Sequence, residues 1–176
     1  MTCFFGFRGG LSLLVLLAAV TGCGRPFDVK TPPEMIELKD QDPPFAYRAM
    51  TPDGVVVAVR VVDDDRKTDL PFWQHAIRLR MKELAGYALL REKDITSRDG
   101  TKGKELVFGH DENGKPYVYR VRVLVAQGRV FVVEAGGTKA QMDRYDRSVE
   151  WTLDNVKVKC GGFLAPVLSS HTCNRW

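Results

Sequence analysis

Alternation of apolar and polar residues predicts that most of the chain is β-strand. Phe45–Met50 and Lys115–Ala126 alternate with a period of two, which places successive side chains on opposite faces of a sheet. Residues 55–62 are almost continuously β-branched, which predicts a central strand buried on both faces. Further strands are predicted at residues 35–38, 87–97, 104–110 and 129–135. Turn signals such as Asn113-Gly114 join the later strands into an antiparallel meander, and Gly136-Gly137 is predicted to end the sheet.

Two segments repeat their apolar residues every three to four positions, the period of an amphipathic helix. The first helix, residues 70–85, has Asp69 as its N-cap and Gly86 after its end. Its core-facing stripe consists of Leu70, Trp73, Ala76, Ile77, Met81 and Leu84. The second begins after Thr138, which fits a capping box with Gln141. Its apolar face consists of Met142, Tyr145, Val149, Thr152 and Leu153.

These elements predict an α+β fold in which a meander of about six or seven antiparallel strands packs with two α-helices.

Three large apolar side chains lie off the stripes of the helices. Phe72 and Leu79 are two turns apart on one side of the first helix, and Trp151 lies opposite the apolar face of the second. Either a loop or the C-terminal tail covers them, or they contact a partner protein. For Trp151 we expect that the tail folds over it.

A single long apolar run, residues 11–20, lies near the N-terminus behind Arg8. At ~1.5 Å per residue it covers about half of a ~30 Å hydrocarbon core, so a cleaved export signal is favoured over a membrane span. The run ends in VTGC, which resembles the lipobox of bacterial lipoproteins. The resemblance implies that residues 1–22 are removed and that Cys23 carries a diacylglyceryl thioether and an acylated amino terminus. The alternative is an ordinary signal peptide with a chance cysteine.

This anchor sets the predicted organisation of the chain. Residues 23–33 would be the lipidated cysteine and a proline-rich tether, residues 34–159 the folded domain and residues 160–176 a C-terminal tail. Gly24 stands where an Asp resembles the inner-membrane retention signal of Gram-negative lipoproteins. We therefore expect an outer-membrane anchor with the domain in the periplasm, and the acyl chains as its contact with the membrane.

Charge and cysteine content narrow the function classes. The formal net charge of +4 falls to +3 without residues 1–22, where Arg8 is the only charged residue, and the basic residues are scattered. No nucleic-acid partner is expected from such a distribution. Once Cys3 is removed and Cys23 acylated, Cys160 and Cys173 remain in a compartment that permits disulfides.

We predict that Cys160 and Cys173 form a disulfide that closes the tail. The closed loop of ~14 residues would stabilise the fold by about 3 kcal/mol in the chain-entropy model. A metal-binding pair or free thiols are the alternatives, although no second pair of ligands lies nearby in the sequence.

No pattern of catalytic, metal or cofactor chemistry is present. The G-x-S-x-G, H-E-x-x-H and Walker motifs do not occur. Asp63-Asp64-Asp65 lacks the alternate spacing of a calcium loop and is interpreted as a solvated loop. His75 and His110 are expected at the surface, and His171 alone does not form a metal site. We therefore expect no cofactor, no metal and no enzymatic activity.

The folded part is similar in layout to the PsbP-like α/β/α sandwich family, which includes DcrB-type bacterial lipoproteins. The likeness covers most of residues 35–158 and is carried by GYALLREKDITSRDGTKGKELVF, YRVRVLVAQGRVFVVEAGG and YDRSVEWTLDNVKV. These segments contain a small-residue start after the first helix, a charged hairpin and a GRVFVVEA strand that leads into a closing helix. The resemblance implies a non-enzymatic accessory that binds other proteins.

Three functions are compatible with these observations. The first is an envelope lipoprotein that acts as an interaction or assembly module in a larger membrane machine, with a protein partner. The second is a carrier of a small lipid or metabolite in a cavity between sheet and helices. The third is a hydrolase, which would require a Ser, Asp or Glu within hydrogen-bond reach of His75 or His110.

Overall fold

The computed structural model describes residues 25–39, 43–83 and 86–159. Cys23, Cys160 and Cys173, and with them the predicted lipidation and disulfide, lie outside these residues. The described strands are β1 (Phe27–Asp28), β2 (Ile36–Glu37), β3 (Phe45–Met50), β4 (Val56–Asp63), β5 (Ala88–Thr96), β6 (Lys102–Glu112), β7 (Lys115–Ala126), β8 (Arg129–Thr138) and β9 (Lys157–Val158). The described helices are α1 (Leu70–Glu83), α2 (Lys139–Arg144) and α3 (Asp146–Asn155).

Seven of these strands form one antiparallel sheet in the order β2-β3-β4-β8-β7-β6-β5. The meander from β5 to β8 is as predicted, with β7 in register with both neighbours through Val121↔Leu106 and Val121↔Glu134. The connection through α1 carries the chain from β4, beside β8, to β5 at the far edge. The strands β1 and β9 pair separately as a small second sheet.

The helices lie on opposite faces of the large sheet, which gives the α+β sandwich that the sequence predicts. On β8, Phe131 and Val133 belong to a core cluster with Val149 and Leu153 of α3. The residues that alternate with them, Val130 and Val132, belong to a second cluster with Trp73, Ile77 and Met81 of α1. Because side chains on a strand alternate, one sheet supplies both cores.

Helix α1 begins and ends where the capping residues indicate. The carboxylate of Asp69 accepts a hydrogen bond from the Phe72 N–H at 3.0 Å. Gly86, at φ +66°, turns the chain after the helix, and the Tyr87 N–H donates to the Met81 carbonyl at 2.9 Å. Within the described residues, no helix is long and apolar enough to cross a membrane.

The second predicted helix is divided at Tyr145 into α2 and α3. Thr138 caps α2 in the predicted capping box with Gln141. The prediction that Gly136-Gly137 ends the sheet is wrong, because β8 continues to Thr138, which pairs with Tyr117. A Cβ at Gly136 would lie 2.8 Å from the Tyr119 ring, so glycine is present for close packing rather than for strand termination.

Strand β4 lies inside the sheet as predicted, but its burial on both faces does not extend along its whole length. Val57, Ala58 and Val59 are buried, whereas Val62 is 40 % exposed. Helix α1 contacts β5, β6 and β7, so the end of β4 on that face is left uncovered.

The proline content of residues 25–33 predicts a tether, but this segment is packed against the domain. Phe27 is 1 % exposed, its ring is edge-on to Phe131, and β1 pairs with β9. Arg25 donates to the Glu37 carboxylate at 2.7 Å. The packed part of the described chain therefore includes residues before 34, where the sequence predicts that the folded domain begins.

Candidate functional site

The three predicted partner contacts lie in different surroundings. Phe72 and Leu79 on α1 are 54 % and 44 % exposed, and Trp151 on α3 is 40 % exposed on the other side of the sheet. The Phe72 ring packs edge-on against its neighbour Trp73 at 5.8 Å. Leu79 lines a cavity.

This cavity is an open groove of about 600 Å³ between the C-terminal half of α1 and the beginning of β5. Helix α1 supplies one wall, and the chain after Gly86 supplies the other. The groove is lined by His75, Arg78, Leu79, Lys82, Gly86, Tyr87, Ala88, Leu89 and Phe108. We call these residues the α1–β5 groove.

The floor of the α1–β5 groove is aromatic. Phe108 is 1 % exposed, and Tyr87 is stacked on the His110 ring at 4.9 Å. His110 Nδ1 lies 3.2 Å from the Gly86 carbonyl oxygen, which ties the β6 strand to the turn after α1. Burial and the nearby Glu112 raise the pKa of Tyr87, so its phenol remains neutral at physiological pH.

The rim of the α1–β5 groove is basic. Arg78 and Lys82 line it, and no carboxylate is among the lining residues. Glu92 of β5 lies 3.5 Å from Arg78 and 3.8 Å from Lys104, and it accepts a hydrogen bond from Gln74. One carboxylate is thus shared by three donors, and the groove presents a basic rim around an apolar floor.

A smaller cavity of about 220 Å³ lies on the opposite face, between α3 and the ends of β5 and β7. Leu153 and Asp154 line it from the helix, and Ile95 and Arg122 from the sheet. Arg98 and Arg122 both line this cavity. Arg122 is already bound, since it donates to Asp154 at 2.5 Å and to Glu150 at 2.7 Å.

A buried ionic cluster lies beneath α3, and no role was predicted from the sequence for its two central arginines, Arg120 and Arg122 of β7. Both arginines are buried, at 6 % and 5 % exposure, and both donate to the fully buried Glu105, at 3.0 and 2.6 Å. Glu150 of α3 accepts from both of them. The other members are Arg91, Lys93, Asp146 and Asp154.

The charges of this cluster hold one another ionised. Burial alone would raise the pKa of Glu105, but hydrogen bonds and charge from Arg122 and Arg120 outweigh it and lower the pKa to about 2. The same carboxylates raise the pKa of both arginines against the effect of burial. One signal in the sequence could have revealed the cluster: Asp146, Glu150 and Asp154 are spaced four residues apart and so form an acidic stripe on one helix.

The interpretation of Asp63-Asp64-Asp65 as a solvated loop is wrong for its middle residue. Asp64 is 6 % exposed and accepts from the Thr68 N–H at 2.7 Å and from the Trp73 indole at 3.1 Å. Burial opposes ionisation, but these hydrogen bonds lower the pKa of Asp64 below its usual value. The residue therefore fixes the loop that leads into α1.

Two histidines, His75 and His110, lie within the described residues, and His171 lies outside them. His75 is exposed at the groove wall, and His110 is stacked on Tyr87 with its Nδ1 at the Gly86 carbonyl. In the part of the chain that the structure describes, no group of three His, Cys, Asp or Glu is placed to hold a metal ion.

The architecture is that of the PsbP-like α+β sandwich, and solved structures of low sequence identity share it. The mycobacterial protein LpqN, from Mycobacterium tuberculosis, is 16 % identical, with a TM-score of 0.62 over 76 % of this chain and 83 % of that one. Mog1p, the Ran-binding protein of Saccharomyces cerevisiae, is 14 % identical, with a TM-score of 0.53 over 76 % of this chain and 90 % of that one.

Cyanobacterial PsbP from Synechocystis is 12 % identical, with a TM-score of 0.51 over 81 % of this chain and 98 % of that one. No protein-family model matches the chain, and no curated protein matches it in sequence. These likenesses define the fold, and the function must be inferred from the chain's own residues.

Proposed function

We propose that the protein is a lipid-anchored envelope protein that acts as a non-enzymatic interaction module. The observation that carries the proposal is the α1–β5 groove, where Leu79 and Leu89 remain 44 % and 37 % exposed beside an aromatic floor. Exposed apolar surface of this kind, with a polar rim, is typical of a binding site.

The VTGC sequence and the packing of the segment after it support the anchor. Arg25, two residues after Cys23, is bound to Glu37 and lies with its guanidinium 5.7 Å from the Tyr47 ring centroid. Two residues span at most about 7 Å. A lipid on Cys23 would thus hold the β1 and β2 side of the domain against the bilayer.

The solved structures of this fold are compatible with such a role. LpqN is described as involved in cell envelope biogenesis, and Mog1p as Ran-binding. Their sequence identities of 16 % and 14 % carry the fold only, so the partner of this chain has to be found by experiment.

The anchor is tested by replacing Cys23 with Ser in the full chain. We expect that the wild-type protein sediments with membranes and that the variant is uncleaved or soluble and lacks acyl chains. Density-gradient separation of the two membranes should place the wild type in the outer membrane. Equal membrane retention of the variant would contradict the proposal.

The interaction role is tested by affinity purification from membranes solubilised in mild detergent. We expect recovery of a defined partner in constant ratio to the protein. Repeated recovery of the protein alone would contradict the interaction role and leave the anchor unaffected.

A second candidate function is a carrier of a small lipid or metabolite. The volume of the α1–β5 groove, about 600 Å³, lies within the range of ~300–1,000 Å³ that small-molecule sites occupy. Native mass spectrometry of the purified protein would reveal a bound molecule of defined mass, and a spectrum of the bare protein alone would contradict this function.

The pairing of Cys160 with Cys173 forms part of the same proposal. Alkylation of the purified protein with and without reductant should show two additional modified cysteines only after reduction. Modification of both cysteines without reductant would contradict the pairing.

A further inference from the structure

We infer that the α1–β5 groove binds an acidic segment of a partner protein that carries one or two large apolar side chains, on the side of the domain away from the membrane. This inference rests on the proposed lipid anchor and interaction role, and it names the chemistry of the partner.

The groove and the anchor lie at opposite edges of the sheet. Arg25 is bound to Glu37 on β2, which is the first strand of the order β2-β3-β4-β8-β7-β6-β5, and the groove is beside β5, the last. Six strand spacings of about 4.8 Å separate the two edges by roughly 29 Å. A groove at that distance from the anchored edge is open to the aqueous compartment, and a bilayer lipid would not reach it.

The charges of the groove select an acidic occupant. Arg78 and Lys82 line it, and Glu92, which lies 3.5 Å from Arg78, is shared with Lys104 and Gln74. Glu83 follows Lys82 in the sequence but does not line the groove. Complementary charge accelerates encounter and suppresses partners of the wrong sign.

The apolar part of the groove selects large side chains. Leu79 and Leu89 form its two sides, and Tyr87 and Phe108 lie beneath them. A leucine or aromatic side chain inserted there would pack against both leucines and the aromatic floor and lose most of its contact with water. Such desolvated apolar contacts are the usual setting of the residues that dominate binding energy. Acidic neighbours of that side chain would then meet the basic rim.

Binding by strand addition to the β5 edge is disfavoured by the strand itself. Its residues alternate in charge from Arg91 to Asp94, and all of these except Glu92 are exposed. The register with β6 also shifts between Leu89 and Arg91, directly beside the groove. Charged side chains and bulges are the devices by which edge strands avoid further pairing. The partner therefore binds through side chains in the groove.

The first test uses a phage-displayed library of random 12-residue peptides, selected on the full-length lipidated protein in detergent. We expect that the selected peptides are enriched in Asp and Glu around a Leu, Phe or Trp. Binding of a fluorescein-labelled selected peptide should weaken as salt is raised. Failure to select any peptide, or selection without acidic enrichment, would overturn the inference.

Charge reversal at the rim locates the site. The double variant Arg78→Glu, Lys82→Glu should weaken peptide binding at least ~tenfold. Arg80→Glu is the matched control, because Arg80 is an exposed cation of the same helix that does not line the groove. It should change binding less than ~twofold, and equal loss in both proteins would overturn the assignment of the rim.

Removal of apolar side chains provides a second, independent test of where the peptide binds. Leu79→Ala should weaken binding ~tenfold or more, whereas Phe72→Ala, on the same helix but outside the groove, should leave it unchanged. Both residues are largely exposed, so the variants should fold, and circular dichroism checks this. Equal effects of the two variants would overturn the inference.

Two further results would indicate a different occupant of the groove, and each would contradict the inference. Displacement of the peptide by phosphatidylglycerol vesicles would indicate a lipid site. A concentration-dependent dimer that Leu79→Ala dissociates would indicate a second copy of the chain.

One result would reject the groove as the binding site without rejecting the proposed interaction role. Equal recovery of one partner from membranes by the wild type and by the Arg78→Glu, Lys82→Glu variant would reject the groove and retain the interaction role.

Discussion

Helices α1 and α3 cover opposite faces of the same sheet by different means. Helix α3 buries Val149 and Leu153 and directs Glu150 and Asp154 at buried arginines of β7. No residue of α1 is fully buried, and it is held by a stripe of partly buried apolar side chains: Leu70, Trp73, Ile77 and Met81. The α3 face therefore holds a buried network of charges, whereas Arg78 and Lys82 of α1 lie at the surface.

This difference indicates which face is available for binding. Every charged group of α3 that points at the sheet has a partner in the cluster around Glu105, and a further ligand would have to displace an existing ion pair. At α1, Arg78 and Lys82 line an open groove whose apolar residues are still exposed. Binding there requires no rearrangement of the core.

The largest expected effect is the removal of the central carboxylate of the α3 face. Glu105→Gln removes the fully buried carboxylate that Arg120 and Arg122 share, leaving Glu150 as their one common acceptor, and should destabilise the protein by about 3–5 kcal/mol. Urea unfolding followed by circular dichroism measures the loss. Asp94→Asn is the control, because its side chain is 85 % exposed and its ion pair with Lys104 should contribute little. A loss no greater than in the control would contradict a role of the cluster in stability.

The next largest effect is expected when an apolar side chain is removed from each helix, because the loss of stability should differ between the two faces. Leu153→Ala on α3 deletes a side chain that is 3 % exposed and should cost about 2–5 kcal/mol. Ile77→Ala on α1 deletes a partly buried side chain and should cost less than about 2 kcal/mol. Unfolding in urea compares the two variants, and an equal or reversed order would contradict the comparison.

The pH dependence of stability sharpens the comparison further. The pKa of Glu105 is about 2 in the folded protein and near 4.5 in the unfolded chain, so its ionised form stabilises the fold above pH 4.5. That stabilisation is lost as the pH falls from about 4.5 toward 2. The difference between wild type and Glu105→Gln should therefore shrink across this window. A difference that is constant from pH 7 to pH 3 would contradict the ionised assignment.

The smallest effect is expected in the free energy of local unfolding of the two helices. Because α1 has no fully buried residue, its amides should exchange with deuterium at a lower opening free energy than those of α3. Hydrogen exchange followed by mass spectrometry resolves the two helices. Equal protection of both would show that the apolar stripe of α1 holds it as firmly as the ionic cluster holds α3.

Much of the fold could be predicted because local signals agree with the tertiary structure. Phe45–Met50 and Lys115–Ala126 have the bounds that their alternation predicts, and Thr138 caps a helix as its capping box indicates. The end of the sheet at Gly136-Gly137 was mispredicted, since the reason for glycine there is the Tyr119 ring on the neighbouring strand. A contact between strands leaves no signal in the local sequence.

The candidate site was only partly predictable for the same reason. Leu79 was found because it lies off the apolar stripe of its helix, but the groove also needs Leu89 and Phe108 from strands that follow α1 in the chain. Asp64 and Arg122 were not recognised, because charged residues are usually exposed and their buried partners lie on other elements. The Phe27 contact with Phe131 joins residues from the two ends of the domain in the same way.

The account depends most on a lipid at Cys23, since that lipid sets which edge of the sheet faces the membrane. The direct measurement is mass spectrometry of the N-terminal peptide of the native protein. Trypsin does not readily cleave before Pro26, so residues 23–30 form the expected peptide. We predict that this peptide begins at Cys23 and carries a diacylglyceryl thioether with an acylated amine. A peptide that begins elsewhere, or an unmodified Cys23, would contradict the account.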